Sequence, residues 1–246
     1  MARLFARENY NVIAIDADPN INLAISLGIP REVSKKIIPI SDNTELIKER
    51  TGLDPGGSFG VIFKMTPQVD DVVERFGIIG PDGVKLLVMG TVKAGDSGCM
   101  CPANALLRVL LQHLLIQRRD LIIMDMEAGL EHLGRGTARR FDSMLAVLDP
   151  TIKSMDTLKR VVSLAKQIGI PEVLAVGNKV ESDNGRKLIR DAAESLGVPV
   201  ASYIPYDSTI VQADLLGKAP IEYEECSSAV EALKSLKEFL KQRYGF

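Results

Sequence analysis

Short apolar runs alternate with longer amphipathic stretches along most of the chain. The runs Val12–Ile15, Lys85–Met89, Leu121–Met124, Met144–Leu148, Val173–Val176 and Val200–Ile204 are close to continuously apolar and rich in β-branched residues. Strands covered on both faces read this way, whereas a half-exposed strand alternates. Between the runs the spacing turns helical. Leu106, Leu107, Leu110, Leu111, Leu114 and Leu115 share one predicted helix face, and Leu158, Val161, Val162 and Ala165 share another. A last helix is expected over Ser227–Gln242, burying Val230, Leu233, Leu236 and Leu240. Strands separated by helices imply an α/β fold: a mostly parallel sheet with helices on both faces.

The pattern breaks between Asp42 and Gly83, where GLDPGGSFG and GPDG interrupt a mixed stretch and only Val69–Arg75 keeps an apolar rhythm. Residues 42–102 read as an insertion on the ligand side of the sheet. No internal repeat, low-complexity tract or Ser/Gly-rich linker divides the chain, so one domain over 1–246 is expected.

Composition narrows the class. Of 246 residues, 46% are hydrophobic and 25% charged, the balance of a globular protein with a real core rather than a disordered chain. Lys+Arg 30 against Asp+Glu 32 gives a net charge of −2, which supplies no broad basic field for nucleic acid. Three cysteines are too few for a disulfide framework, and no apolar run approaches the ~20 residues that span a bilayer. The opening MARLFARENYNVIAID has no signal-peptide core. A cytoplasmic protein, without membrane or nucleic-acid partners, is expected.

In open α/β sheets ligands lie beyond the carboxyl ends of the strands, so the polar residues after each run are the candidates. The first run ends in Asp16-Ala17-Asp18-Pro19, the third in Asp125-Met126-Glu127-Ala128-Gly129 and the fifth in Gly177-Asn178-Lys179. An acid delivered at a strand tip suits a Mg²⁺–nucleotide site, although a lone Asp there is more often a helix cap or turn residue. Asn178 offers a donor and an acceptor together, as the edge of a purine requires, or caps a turn. Gly98-Cys99-Met100-Cys101-Pro102 places Cys101 at a helix N-cap, where thiolate is favoured. Cys99 and Cys101 can converge on one soft metal ion but supply only two of the four ligands of a tetrahedral site, so a metal-binding role implies a C2 dimer; inert thiols are the plain alternative. His113, beside an apolar face, reads as structural, His132 as a neighbour of the Asp125 element, and Cys226 as unimportant to the chemistry.

Taken in order, DADPN, RTG at Arg50–Gly52, GCMCP, DMEAGLEHLGRGT, NK and IPYD resemble the CooC group. These are ATPases that assist nickel insertion into carbon monoxide dehydrogenase, within the MinD/ParA/nitrogenase-iron-protein class of P-loop NTPases. The resemblance covers nearly the whole chain and implies a nucleotide-binding domain using ATP and Mg²⁺. It implies that Asp18, with Asp16, lies in switch I and orients the attacking water. Asp125 would hold Mg²⁺ through water, with Glu127 and Gly129 in the mobile turn after it. It further implies that Asn178, beside Lys179, reads adenine, that Pro205, Tyr206 and Asp207 close over the base, and that Cys99 and Cys101 hold Ni²⁺ or Zn²⁺ between the subunits of a homodimer. The implied client is carbon monoxide dehydrogenase or an acetyl-CoA synthase complex.

The sequence departs from that family in one respect. No G-x-x-x-x-G-K-[ST] stretch occurs in it, and Ala2–Glu8 leads straight into the DxDP strand, so the first strand and the phosphate cradle are lacking. In the family that strand lies between those ending at Asp125 and Asp149; truncation of a longer protein at an internal start is the favoured explanation. Two other functions stay open: an iron–sulfur reductase of the nitrogenase-iron-protein type, and a non-catalytic metal- or partner-binding relative.

Overall fold

The computed structural model describes residues 1–54, 64–90, 102–117, 120–127 and 138–246. These fall into two compact units, Ala2–Thr137 and Ala138–Phe246.

In the first unit the sheet order is β2-β3-β1-β4, with β1 at Val12–Asp16, β2 at Ile78–Ile79, β3 at Lys85–Val88 and β4 at Leu121–Asp125. The strand β1 is buried along its whole length, as its unbroken apolar run predicts. It pairs in parallel with β3, Asp16 opposite Val88, and with β4, Asp16 opposite Asp125. Helix α1 (Ala2–Ala6) is tied down by Arg3, which donates to Asp82 at 2.6 Å and to the Leu27 carbonyl at 3.2 Å. The GPDG stretch, expected only to interrupt, turns a small hairpin. Asp82 and Gly83 take φ of 57° and 79°, and β2 runs antiparallel to β3.

The irregular region also contains ordered helix. Helices α2 (Leu23–Ser26) and α3 (Arg31–Ser34) precede α4 (Thr44–Thr51) and α5 (Val72–Phe76). Helix α4 starts with the Asn43 side chain accepting from the Leu46 N–H and ends at Gly52 in the left-handed region, φ 84°. Arg50 donates to Asp71 at 2.7 Å, joining α4 to the start of α5. The Lys64 N–H donates to the Thr51 carbonyl at 2.9 Å. Helix α6 (Pro102–Gln117) buries Leu106, Leu110, Leu111 and Leu114, the stripe its spacing predicts.

In the second unit β5 (Met144–Leu148), β6 (Val173–Val180) and β7 (Val200–Pro205) form a parallel sheet in that order. Helix α7 (Ile152–Ile168) packs Met155, Leu158 and Val161 against Ala146, Leu148 and Ala175, and α8 (Asp183–Ser195) adds Ile189 and Ala193. Two shorter helices, α9 (Ser208–Leu215) and α10 (Pro220–Tyr223), lead to α11 (Ser228–Tyr244). Val230, Leu236 and Leu240 of α11 are buried as expected, and Leu233 is half-buried. Its far end is fastened by Glu172, which accepts from Arg243 and, at 2.6 Å, from the Tyr244 hydroxyl. The Arg243 guanidinium foremost, with that hydroxyl, pulls the Glu172 carboxyl down to about 2.

Among the described residues β4 pairs only with β1 and β5 only with β6. Three runs expected to be covered on both sides are therefore edge strands among the described residues, since β7 likewise pairs only with β6. Leu121–Met124 are half-buried and Val147 is 61% exposed, because an edge strand lacks the neighbour whose side chains and crossover would cover it.

Candidate functional site

The carboxyl ends of β1 and β4 bring acids together. Asp16 and Asp125 are register partners at the tips of adjacent parallel strands, which lie about 4.8 Å apart. The Ala17 N–H donates to the Asp125 carbonyl at 2.9 Å, extending the pairing one step past the strand. Asp16 is fully buried and its carboxylate faces its own backbone. Oδ1 accepts from the Asp18 N–H at 3.2 Å, and Oδ2 from the Leu23 N–H at 3.1 Å. This carboxylate thus folds the DADPN segment back over the strand end and starts α2. Asp18, further out, accepts from the Asn20 N–H at 2.6 Å and is half-buried.

Burial raises the Asp16 carboxyl above the ordinary range; its two backbone hydrogen bonds oppose that, and the negative charges of Asp125 and Asp18 add to it. Asp125 is open to solvent on one side, yet desolvation by the surrounding protein raises its carboxyl too, with Asp18 adding repulsion against one backbone hydrogen bond from Met126. A cation at this edge relieves that strain on both groups. One or two carboxylates with water and phosphate oxygens are the usual Mg²⁺ environment, so the acids here fit that ion as part of a shared shell. Among the described residues no group of three His, Cys, Asp or Glu is arranged to hold a metal alone. Glu127 is exposed just beyond β4. Cys99, Cys101, Gly129 and His132 lie outside the described residues.

The second unit presents a different edge. Gly177 stands opposite Leu148, so the residues that follow, Asn178 and Asp149, come side by side. Asn178 Nδ2 donates to Asp149 Oδ1 at 3.1 Å, and Lys179 Nζ to Asp149 Oδ2 at 3.1 Å. Lys179 takes φ 53°, a left-handed conformation that disfavours a Cβ-bearing residue by about 1–2 kcal/mol. The pairing of β6 with β7 is irregular across Gly177 and Val180. A Cβ at Gly177 would lie 2.7 Å from Tyr203 Cδ1, so only glycine lets the two strands approach here. Local strain held by close packing is characteristic of ligand sites.

Pro205 ends β7, and the Tyr206 N–H donates to the Val180 carbonyl at 3.4 Å, leaving the Tyr206 ring 48% exposed beside the end of β6. Asp207 turns inward. One oxygen accepts from the Thr209 N–H and hydroxyl at 3.0 and 2.6 Å; the other accepts from the Ser228 hydroxyl and the Ala229 N–H at 2.9 and 3.0 Å. It caps α9 and supplies an acceptor to the first turn of α11, where Ser227 takes the next N–H, that of Val230. The Thr209 side chain first, then the Ala229 N–H, hold its carboxyl well below the ordinary range.

Sequence reasoning did not single out Asp149 as a site residue. Its signal was the one that marked Asp16 and Asp125, an acid following a buried apolar run. His113 is half-buried on α6.

A family model described as the CobQ/CobB/MinD/ParA nucleotide binding domain matches residues 1–221. The chain is 41% identical over 242 residues to an uncharacterized ATP-binding protein of Methanocaldococcus jannaschii, covering 98% of this chain and 90% of that one. It is 41% identical over 217 residues to the carbon monoxide dehydrogenase accessory protein CooC of Rhodospirillum rubrum, covering 88% and 81%. Solved structures share the fold at lower identity. A ParA family ATPase of Chlorobium tepidum has a TM-score of 0.69 at 17% identity, covering 97% and 88%, and the cell division ATPase MinD of Pyrococcus furiosus 0.65 at 21%, covering 98% and 90%. Family model, sequence relatives and fold agree: the chain belongs to the CobQ/CobB/MinD/ParA nucleotide-binding family of P-loop ATPases, as a CooC-type member.

Proposed function

We propose that the protein is an ATP-dependent metallochaperone that assists nickel insertion into carbon monoxide dehydrogenase, acting as a homodimer in the cytoplasm. The observation that carries this reading is the paired acids Asp16 and Asp125 at adjacent strand tips, in a chain 41% identical to CooC over 217 residues.

In this reading the residues divide the work. Asp16 is the pin that shapes the DADPN turn, and Asp18, displaced outward from it, orients the water that attacks the terminal phosphate. Asp125 holds Mg²⁺ through water, and Glu127 and Gly129 belong to the turn that follows nucleotide state. When bound, Mg²⁺ neutralises charge developing on the phosphate oxygens. Asn178 faces the base, Lys179 and Asp149 steady it, and Tyr206 with Pro205 packs over the purine while Asp207 holds that segment in place. The 246 residues include no G-x-x-x-x-G-K-[ST] stretch, so what they bring to nucleotide binding is the base side and the metal side. Cys99 and Cys101, two from each subunit, complete a four-thiolate site for Ni²⁺ or Zn²⁺, the cargo. Dimer closure on ATP would then make or open that site.

Metal titration with Ni²⁺ and Zn²⁺, read together with the mass of the complex in solution, tests the reading. One ion per dimer is expected, lost when Cys99→Ala and Cys101→Ala are combined. Binding unchanged by that double substitution, or a strict monomer in the presence of metal and Mg-ATP, overturns it.

A further inference from the structure

Asp149 sits where no sequence signal separated it from a turn residue, and its geometry constrains its neighbour. A carboxylate only accepts hydrogen bonds, and an Asn side chain donates only through Nδ2. The 3.1 Å contact between Asn178 Nδ2 and Asp149 Oδ1 therefore fixes which way the Asn178 amide is turned. One N–H is consumed. Oδ1 and the second N–H remain, one acceptor and one donor. Lys179 Nζ holds the other Asp149 oxygen at 3.1 Å, so the carboxylate is fastened at both oxygens. The main chain adds rigidity: Lys179 is in the left-handed region and Gly177 is packed on Tyr203.

We propose that Asp149 is the positioning residue that gives the base site its preference for an amino-purine over an oxo-purine. Held in one orientation, Asn178 offers an acceptor to the exocyclic N6 amino group of adenine and a donor to the neighbouring ring nitrogen, the bidentate match of Asn with adenine. A guanine base places its O6 acceptor against the Asn178 oxygen. Turning the amide over would relieve that clash, but it would set the Asn178 oxygen against the Asp149 carboxylate, acceptor against acceptor. The inference rests on the reading that Asn178 faces the purine, and it adds that the selectivity resides in a residue that need not touch the base.

The test uses AMP and GMP, which require no triphosphate cradle, titrated separately into the isotope-labelled 246-residue chain and its Asp149→Asn variant, with binding followed by NMR. Asn at 149 is nearly isosteric and can either accept from or donate to Asn178, so it removes the lock and keeps the packing. The wild-type chain is expected to bind AMP about tenfold more tightly than GMP, and the variant to lose most of that ratio while still binding AMP. A ratio unchanged in Asp149→Asn overturns the proposal, as does a wild-type chain that binds both nucleotides equally; in either case the base site itself stands. Binding of neither nucleotide overturns the base-site reading and this inference with it. A readout independent of the variant is the Asn178 side-chain amide of the unliganded wild type. One of its two protons is expected to be shifted downfield and to exchange slowly through its bond to Asp149, and two equivalent, fast-exchanging protons would contradict the lock.

Discussion

Carboxylates stand at the carboxyl ends of parallel strands in both units, but they are treated in opposite ways. In the first unit Asp16 and Asp125 crowd together with Asp18 nearby, and burial with mutual repulsion raises both carboxyls. In the second unit Asp207 accepts four hydrogen bonds and its carboxyl is lowered, while Asp149 is met by an amide and an ammonium. The first edge is electrostatically incomplete, and a cation lowers its energy. The second is closed on itself before any ligand arrives, and its acids act as scaffolding. The same residue type at strand ends is thus left with raised carboxyls in one unit and held by hydrogen-bond donors in the other, and the surrounding donors decide which.

Three substitutions sharpen or break this contrast. Asp207→Ala has the largest expected effect. It uncaps α9 and leaves the first turn of α11 one acceptor short, a loss of about 2–3 kcal/mol that thermal or denaturant unfolding would read. The sign with pH follows from the lowered carboxyl. The stabilisation is full above the unfolded carboxylate value of about 3.9 and fades as pH falls below it. A variant as stable as the wild type at neutral pH would show that Asp207 is not a cap. Gly177→Ala comes next, at about 2 kcal/mol for forcing a Cβ against the Tyr203 ring, measured by denaturant unfolding. Full retention of stability would mean that the β6–β7 contact is softer than its packing implies.

Asp16→Asn has the smallest effect at neutral pH, because it removes an unfavourable buried charge and one backbone hydrogen bond together; a change within about 1 kcal/mol is expected. Its signature is the slope. In the wild type, between the ordinary carboxylate value and the raised one, the folded chain keeps a proton that the unfolded chain has lost, so stability falls as pH rises through that window. Unfolding midpoints measured against pH should show this slope reduced in Asp16→Asn, and Mg²⁺ should reduce it in the wild type. An unaltered slope in the variant would assign the proton elsewhere.

The strands were legible in the residues because they are short continuous apolar runs, and each of the six expected runs became a strand, shared between two sheets among the described residues. Helix α4 escaped because TELIKERT has little apolar rhythm; its markers were local, Asn43 at the start and Gly52 at the end. The two-residue strand β2 is an edge, with Ile79 76% exposed, and GPDG marked its turn without revealing its partner. Strand-end position picked out Asp16, Asp18, Asp125 and Asn178 as candidates, but it could not tell that the Asp16 carboxylate faces inward to backbone amides. Nor could it show that Asp207 reaches Ser228 across 21 residues and so bridges two helices, or that Asp149 reaches Asn178 across 29 residues. Those facts depend on which strands and helices lie side by side, and that is a property of the fold.

The hydrogen bond from the Lys64 N–H to the Thr51 carbonyl brings Lys64 to the end of α4, where Gly52 turns the chain in the left-handed region. Arg50 and Asp71 tie α4 to the start of α5 by a separate bond, so opening the backbone contact at Thr51 leaves the two helices joined.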